Sequence, residues 1–468
     1  MVNTAIVEEL REIVGVDYVL TDPADLVCFA YDGTFQERRP ALVVSPASTE
    51  EVVEIVKLAA RERLPITARG MGSGLAGASI AGEGGLVLSL TRLNRILEID
   101  QENMMATAQA GVITGDLQNA VAAVGLMYPP DPSSLKHSTL GGNAACGAGG
   151  PMCLKYGVTQ DYVQALEVVL ANGEVLRCGG KNIKDVTGYN LVDLFIGSEG
   201  TLGIITELTV KLIPKPEVTR TAKAVFPRMD DACAAVNRIL LAGVLPSKLE
   251  IMDDTTIKCV EDYLHCGLPT EAEAILIIEA DGDAASSQRE IEVAAQVCRE
   301  SGASEVQVAR DAKEADDLWQ ARRSVSGSLG RARPNKLGED ITVPRGAIPE
   351  MVRRIKEIAF RHDLRIVVFG HAGDGNLHPN ILFDRRDPDE LRRVEEAVSD
   401  IFAAAVELGG TLSGEHGVGT LKLPYLEMAV GPVAMQVMRS IKCALDPLNI
   451  LNPGKVLAAD TVCDAALR

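Results

Sequence analysis

The stretch ALVVSPASTEEVVEIVKLAARERLPITARGMGSGLAG, residues 41–77, holds the pattern that decides the fold. Ser48 and Glu51 stand at capping-box spacing, and the apolar residues that follow recur on one helical face, so a helix is expected over 48–63. Pro65 ends it, and PITAR reads as a strand. Gly72 to Gly77 then spells GxGxxG. A Rossmann site needs that pattern to open a helix whose N-terminus faces a pyrophosphate. Here the helix comes before the strand, and the ASIAGEGG that follows is too rich in glycine to be helical. What is left is a glycine-lined concavity whose backbone N–H groups can cradle phosphate, with Arg69 beside it. A tight turn without a ligand explains one such loop equally well.

Working outward, strands fit GLVLSL and ILEID, and a helix is expected from Asp116 to Val124 with Thr114 as its N-cap. In ALEVVLANGEVL, Asn172-Gly173 sits between apolar runs and signals a tight hairpin. Thr139 to Gly150 reads as a second glycine loop, and Gly197 to Ile204 as a third, directly before the strand GIITELTVKLIP. Three such loops in one domain suit a large, extended cofactor bearing phosphate. From about Val218 to Leu408 glycines thin out, and charged helices around 285–300, 347–361 and 388–408 alternate with strands such as EAILIIEA and RIVVFGH, an α+β pattern. Short Gly/Pro-punctuated pieces fill the last 40 residues, which are expected to return to the first domain.

Composition excludes several classes. The 468 residues are 47% hydrophobic and carry a formal charge of −19, which repels phosphate backbones, so nucleic acid is not an expected partner. Aromatics at 4% leave few stacking platforms for bases. Ten cysteines form no CxxC pair; the nearest, Cys146/Cys153 and Cys259/Cys266, have six residues between them. Thiols in a reducing compartment are the expectation. MVNTAIVEELREIVG reads as a short amphipathic helix rather than a signal peptide, and no apolar run is long enough for a transmembrane segment. The chain is expected to be cytoplasmic.

RIVVFGHAGDGNLHPNILF, residues 365–383, carries the chemistry. Two β-like runs flank Asp374-Gly375, the preferred pair of a two-residue type I′ turn. That turn sets His371 directly opposite His378, with β-carbons about 4.5–5.5 Å apart and Asn380 on the same face. Two imidazoles so placed can converge on one metal ion; a cross-strand pair without metal is the other reading. Ser413-Gly-Glu-His-Gly-Val-Gly419 supplies a carboxylate and a further imidazole. Two histidines and a carboxylate leave coordination positions open, as a catalytic site requires, and suit zinc, iron(II) or manganese.

Residues 41–77, STLGGNAACGAGG and GYNLVDLFIGSEGTLGIITELTVKLIP together resemble the FAD-binding domain of the vanillyl-alcohol oxidase/PCMH superfamily. The resemblance runs from about residue 38 to 457. It is strongest to the branch of D-lactate dehydrogenases, D-2-hydroxyglutarate dehydrogenases and the glycolate oxidase flavin subunit. It implies an α+β protein with a PCMH-type FAD-binding domain over 1–216, a substrate (cap) domain over 217–412, and a segment 413–468 packing back on the FAD domain. Arg69, Gly70, Met71, Gly72, Ser73, Gly74 and Leu75 would then hold the FAD pyrophosphate. Thr139, Gly141, Gly142, Asn143, Gly149, Glu199, Gly200, Ile204 and Asn452 would line the rest of the cofactor. Covalent relatives attach flavin through a histidine in the first loop; residues 69–77 contain none, so the FAD is expected to be non-covalent. HxGDGNLH and SGEHGxG match the branch as well. They imply His371, His378 and Glu415 as ligands of a divalent metal, His416 as general base and Asn380 as a substrate contact. Trp319-Gln-Ala-Arg322 implies Arg322 as the substrate-carboxylate arginine, with Arg323 next to it leaving the register open; Ser326 and Lys336 would lie near the substrate. The spacing of Lys336 to Asp340 departs from hydroxyglutarate-oxidising relatives. The expected function is therefore oxidation of a small 2-hydroxy acid, D-lactate or glycolate, by hydride transfer to FAD. Electrons would leave to an acceptor protein such as an electron-transfer flavoprotein or an iron–sulfur subunit, since the chain shows no iron–sulfur or haem motif of its own. D-2-hydroxyglutarate oxidation, a metallohydrolase using the histidines, and a non-catalytic flavin-binding subunit are the competing readings.

Overall fold

The computed structural model describes residues 3–463. Its packing divides the chain into two units: residues 1–149, 158–215 and 415–468 form one, residues 150–157 and 216–414 the other.

In the first unit, strands Leu42–Val44, Leu86–Ser89 and Ile66–Arg69 run parallel, and Val19–Leu20 adds an antiparallel edge. The helix Thr49–Glu62 makes the crossover between the first and last of the parallel strands. Ser48 caps it by accepting from Glu51 N at 3.3 Å, while the Glu51 carboxylate accepts from Ala47 N at 2.7 Å. Val52, Ile55, Val56, Leu58 and Ala59 bury one face of this helix on the sheet, as their spacing requires. Leu451 pairs with Ile66, so the C-terminal segment adds to this same layer. A second sheet of five antiparallel strands follows the order Ile96–Asp100, Met105–Gln109, Ile204–Lys211, Val163–Val169, Val175–Gly179. Asn172-Gly173 closes the hairpin between the last two, with Val169 paired to Val175.

Three details of this unit differ from the sequence reading. Thr114 is the first residue of the helix Thr114–Ala122 rather than its cap: Ile113 holds the cap position, and the Thr114 hydroxyl donates to Ser138 O. Residues 139–150 are not simply a loop, because Thr139 accepts from Gly142 N and caps a helix, Leu140–Cys146. Cys443 and Cys463 form a disulfide, and the other eight cysteines are in none. A pair 20 residues apart has no spacing signature; only the fold brings their Cα atoms to 5.2 Å. The N-terminal helix is Thr4–Val14, capped by Asn3; Met1 and Val2 lie outside the described residues.

The second unit is one antiparallel sheet. Its order is Glu305–Val308, Val218–Phe226, Ala274–Gly282, Lys248–Asp253, Arg365–His371, Asn376–Phe383, Asn335–Gly338, with Ile341–Thr342 also on Asn376–Phe383. Helices cover both faces, which is why the central strand AILIIEADG is buried at all but its last position and opens on five apolar residues in a row instead of alternating. One face carries the helices Asp254–Leu264, Ala312–Arg323 and Val325–Ala332 over a cluster including Met252, Ile257, Ile275, Ile277, Leu329 and Val367. No helix among the described residues is long and apolar enough to cross a membrane.

Candidate active site

The candidate site's polar side chains lie at one end of that helix-covered face. Side chains alternate along a strand, and cross-strand partners share a face. Glu250 pairs with His371, Met252 with Phe369, Phe369 with His378 and Val367 with Asn380. Glu250, His371, His378 and Asn380 therefore share the face that carries the apolar cluster. The hairpin register corrects the sequence reading: His371 pairs with Asn376, and His378 lies opposite Phe369 rather than opposite His371. Four residues, Ala372 to Gly375, make the connection, with Asp374 N donating to His371 O. Gly375 sits at φ +78°, and a Cβ there would meet Val343 O at 2.0 Å, so the glycine serves close packing beneath the loop. This four-residue connection replaces the expected two-residue turn and moves the partner of His371 by two positions. An even shift preserves the side-chain face, so the imidazoles still converge as diagonal neighbours.

The His371 and His378 Nε2 atoms face each other at 3.4 Å, beyond the usual range of an N–H hydrogen bond. Two nitrogens on one tetrahedral ion with bonds of about 2.0–2.1 Å stand about 3.3 Å apart, so the pair has the spacing of two ligands of a single metal. Glu250, wholly buried, joins His371 Nδ1 through one oxygen and Arg322 Nε through the other at 2.8 Å. Burial works against ionisation of Glu250, but the charges of His371 and Arg322 outweigh it and hold the carboxyl down at about 2. A carboxylate on Nδ1 fixes the ring and leaves Nε2 for a metal. Among these residues the sequence reading missed Glu250; its one signal is a lone carboxylate inside the apolar run LEIM.

Arg322 and Arg323 part company in the structure. Arg322 reaches the buried carboxylate and stacks on Phe369 at 4.7 Å, whereas Arg323 turns to Asp316 at the surface. Lys336 Nζ donates to the Ser326 hydroxyl, and burial lowers its pKa. Asn380 donates to His378 O at 3.0 Å. Asp340, fully buried, accepts from Asn376 Nδ2, the Ser413 hydroxyl and Gly414 N. This fastens the chain at the residue before Glu415 and His416. Asp340 and Asn376 also went unassigned at the sequence level.

The first unit assembles the three glycine elements and the Glu-His segment around one another. A Cβ on Gly70 would lie 2.3 Å from the Thr139 hydroxyl, so the first loop closes against the cap of the helix Leu140–Cys146. The third joins that helix through Gly197 N to Ala144 O and Glu199 N to Ala145 O. Asn452 donates to both Ala78 O and Glu199 O and accepts from the Thr67 hydroxyl, tying first to third. Arg69 is buried, and its guanidinium donates to Tyr31 O and Ser79 O, bracing the first loop from within. Asn143 likewise turns inward, to the Thr114 hydroxyl. Ile204 is buried at the head of its strand, Gly141 packs on Ala110, and Gly200 turns at φ +71°. What stays open is the stretch Met71–Gly74. No backbone carbonyl among the described residues accepts from its N–H groups, a Cβ on Gly74 would meet nothing within 4 Å, and Met71 and Leu75 are exposed. An open run of N–H donors flanked by apolar side chains fits a phosphate-bearing cofactor.

Residues 40–179 match the family described as FAD binding domain, and residues 215–456 that described as FAD linked oxidases, C-terminal domain. Glycolate oxidase subunit GlcD of Bacillus subtilis (strain 168) is 48% identical over 461 residues, 98% of each chain. D-lactate dehydrogenase of Anaerostipes hadrus is 37% identical over 466 residues, 97% of this chain and 98% of that one. Among solved structures, p-cresol methylhydroxylase superposes with a TM-score of 0.80 at 20% identity, over 97% of this chain and 96% of that one, a likeness of fold. The chain thus belongs to the FAD-linked oxidases, oxidoreductases that carry FAD on a PCMH-type fold.

Proposed function

We propose that the chain is an FAD- and divalent-metal-dependent D-2-hydroxyacid dehydrogenase that converts D-lactate or glycolate to the 2-oxo acid. The observation that carries this reading is the pair of imidazole Nε2 atoms at metal-ligand spacing, backed by the same buried carboxylate that holds Arg322. The names of the relatives, glycolate oxidase subunit and D-lactate dehydrogenase, support the substrate class.

When bound, FAD would supply the hydride acceptor and a divalent ion would supply Lewis-acid lowering of the substrate hydroxyl pKa. His371 and His378 would hold that ion, with Glu415, the residue after the Asp340-anchored Gly414, as the proposed third ligand. Arg322 keeps Nε on Glu250 and offers its terminal nitrogens to the substrate carboxylate as a fork. Lys336 adds a second positive charge, and Asn380 orients the substrate. A ring nitrogen of His416 takes the hydroxyl proton. Arg69 to Leu75, Thr139, Gly141, Gly142, Gly149, Gly200 and Ile204 bind or frame the flavin, while Asn143, Glu199 and Asn452 hold those elements together. Bacillus and Escherichia relatives are named as subunits, which supports a partner chain as electron acceptor. An electron-transfer flavoprotein or an iron–sulfur subunit meets that need.

Anaerobic addition of D-lactate or glycolate should bleach the visible flavin band of the purified protein. His416→Ala should keep its yellow colour and lose the bleaching by at least about 100-fold, the usual contribution of a general base. Normal reduction in that variant removes His416 as the base, and a wild-type protein bleached by neither acid removes the substrate class.

A further inference from the structure

Glu199 stands at φ +53°, in the left-handed region that a side chain other than glycine, asparagine or aspartate seldom occupies. Its main chain belongs to the third glycine element: N–H donates to Ala145 O, and O accepts from Asn452. Its side chain goes elsewhere. The carboxylate, buried with the residue 6% exposed, accepts from Val418 N and from Gly419 N, the latter at 2.8 Å. These two N–H groups lie two and three residues after His416. A Cβ on Gly417 would press on Glu199 Oε1 at 2.5 Å, so the peptide directly after His416 passes hard against the carboxylate. On the other side, Cys146 Sγ donates to His416 O at 3.2 Å, from the helix that Thr139 caps. Gly419 completes the clamp: a Cβ there would strike Ala76 O at 1.9 Å, and Ala76 O accepts from Thr420 N and Leu421 N. The carbonyl of His416 and the backbone that follows it are therefore held by Cys146, Glu199 and Ala76, residues of the glycine elements and the helix between them. Burial raises the Glu199 carboxyl, against the opposing pull of the two N–H donors and of Lys422 and Lys455.

We propose that Glu199 is a positioning residue that fixes the His416 segment against the flavin-binding elements, acting on proton removal and not on flavin affinity. This rests on the role of His416 proposed above. A carboxylate suits the task because it accepts two diverging N–H bonds at once. Glutamine keeps an acceptor oxygen at the same reach and loses one bond, and alanine loses both.

The test compares Glu199→Ala and Glu199→Gln with wild type as full-length holoenzymes. FAD per chain and reduction by dithionite should stay at the wild-type level. The rate of anaerobic flavin reduction at saturating D-lactate or glycolate should fall roughly 10- to 100-fold in the alanine variant, the scale of an ångström-sized misplacement. Half-saturation should be unchanged, and glutamine should recover much of the rate. A second readout needs no substrate: alkylation of Cys146, followed on its peptide by mass, should accelerate several-fold in Glu199→Ala as the His416 carbonyl slackens from Sγ, and less in Glu199→Gln. Wild-type rates and unchanged Cys146 protection in the alanine variant overturn the inference. Flavin loss in proportion to activity does so too, by making Glu199 a flavin holder. If wild type is bleached by neither acid, the substrate reading fails while the Cys146 comparison still decides the role of Glu199.

Discussion

At the scale of single residues, Glu250 binds the candidate site together, because one buried carboxylate meets both a proposed metal ligand and the proposed substrate arginine. Glu250→Ala would leave Arg322 and His371 without their counter-charge, at a cost of roughly 3–5 kcal/mol. Glu250→Gln keeps the shape and isolates the electrostatic part. Its metal affinity should drop about 10- to 100-fold, the usual effect of removing a carboxylate behind a ligating histidine, while FAD remains bound. Metal retained per chain after dialysis against graded chelator measures this, and retention equal to wild type would contradict the role. This partner was out of reach of the sequence: Glu250 lies 121 positions from His371, and only pairing of Lys248–Asp253 with Arg365–His371 joins them. The choice between Arg322 and Arg323 was similarly closed to reading by pattern, since neighbours on a helix point about 100° apart and only packing says which faces inward.

Among the elements, Asp253 shows what burial does to a cap. It accepts from Thr256 N and Oγ1 at the start of the helix Asp254–Leu264, and burial pushes its pKa up from 3.8 to about 6. Because the folded form binds the proton more tightly, this group's stabilisation is complete below the unfolded value and is lost as pH rises through about 6. Asparagine caps as well as aspartate and does not ionise. Between pH 4 and 7 the stability difference should therefore move in favour of Asp253→Asn, by about 1–3 kcal/mol. Urea unfolding at the two pH values checks it, and a difference that does not move would show that the folded carboxyl keeps its ordinary pKa. Element types were largely legible here. Period and caps located Thr49–Glu62, Ala284–Glu300, Ile348–Arg361 and Pro388–Glu407 to within a residue or two of the expected spans. Register was not. Asp374-Gly375 looks like a two-residue turn, but the close approach of Val343 O to Gly375 makes the pair part of a longer connection. The face of His378 survived that error only because the slip was even. LGGN is poor helix by propensity, yet the Thr139 cap and the packing of Gly141 on Ala110 outweigh that local cost and make Leu140–Cys146 helical.

For the molecule as a whole, the −19 charge sets the demand on the site. An anionic substrate approaching so acidic a chain needs local cations, and the second unit provides Arg322 and Lys336 on the helix-covered side that also carries the two imidazoles. The flavin elements and the Glu-His segment belong to the first unit, and the histidine pair belongs to the second. The return of the C-terminal segment to the first unit was foreseeable only as a possibility in the sequence. Its anchors, Asn452 to Thr67 and Leu451 to Ile66, span 385 positions and leave no local trace. The proposed reaction requires metal on His371 and His378 for a hydroxy acid to reduce the flavin. The direct measurement is anaerobic reduction of the bound flavin by D-lactate or glycolate before and after chelator treatment, with FAD content checked throughout. The prediction is a protein that stays yellow, loses reduction by the hydroxy acid when stripped, remains reducible by dithionite, and recovers on addition of zinc or manganese. A metal-stripped protein, shown free of metal by analysis and still bleached at the original rate, would contradict it.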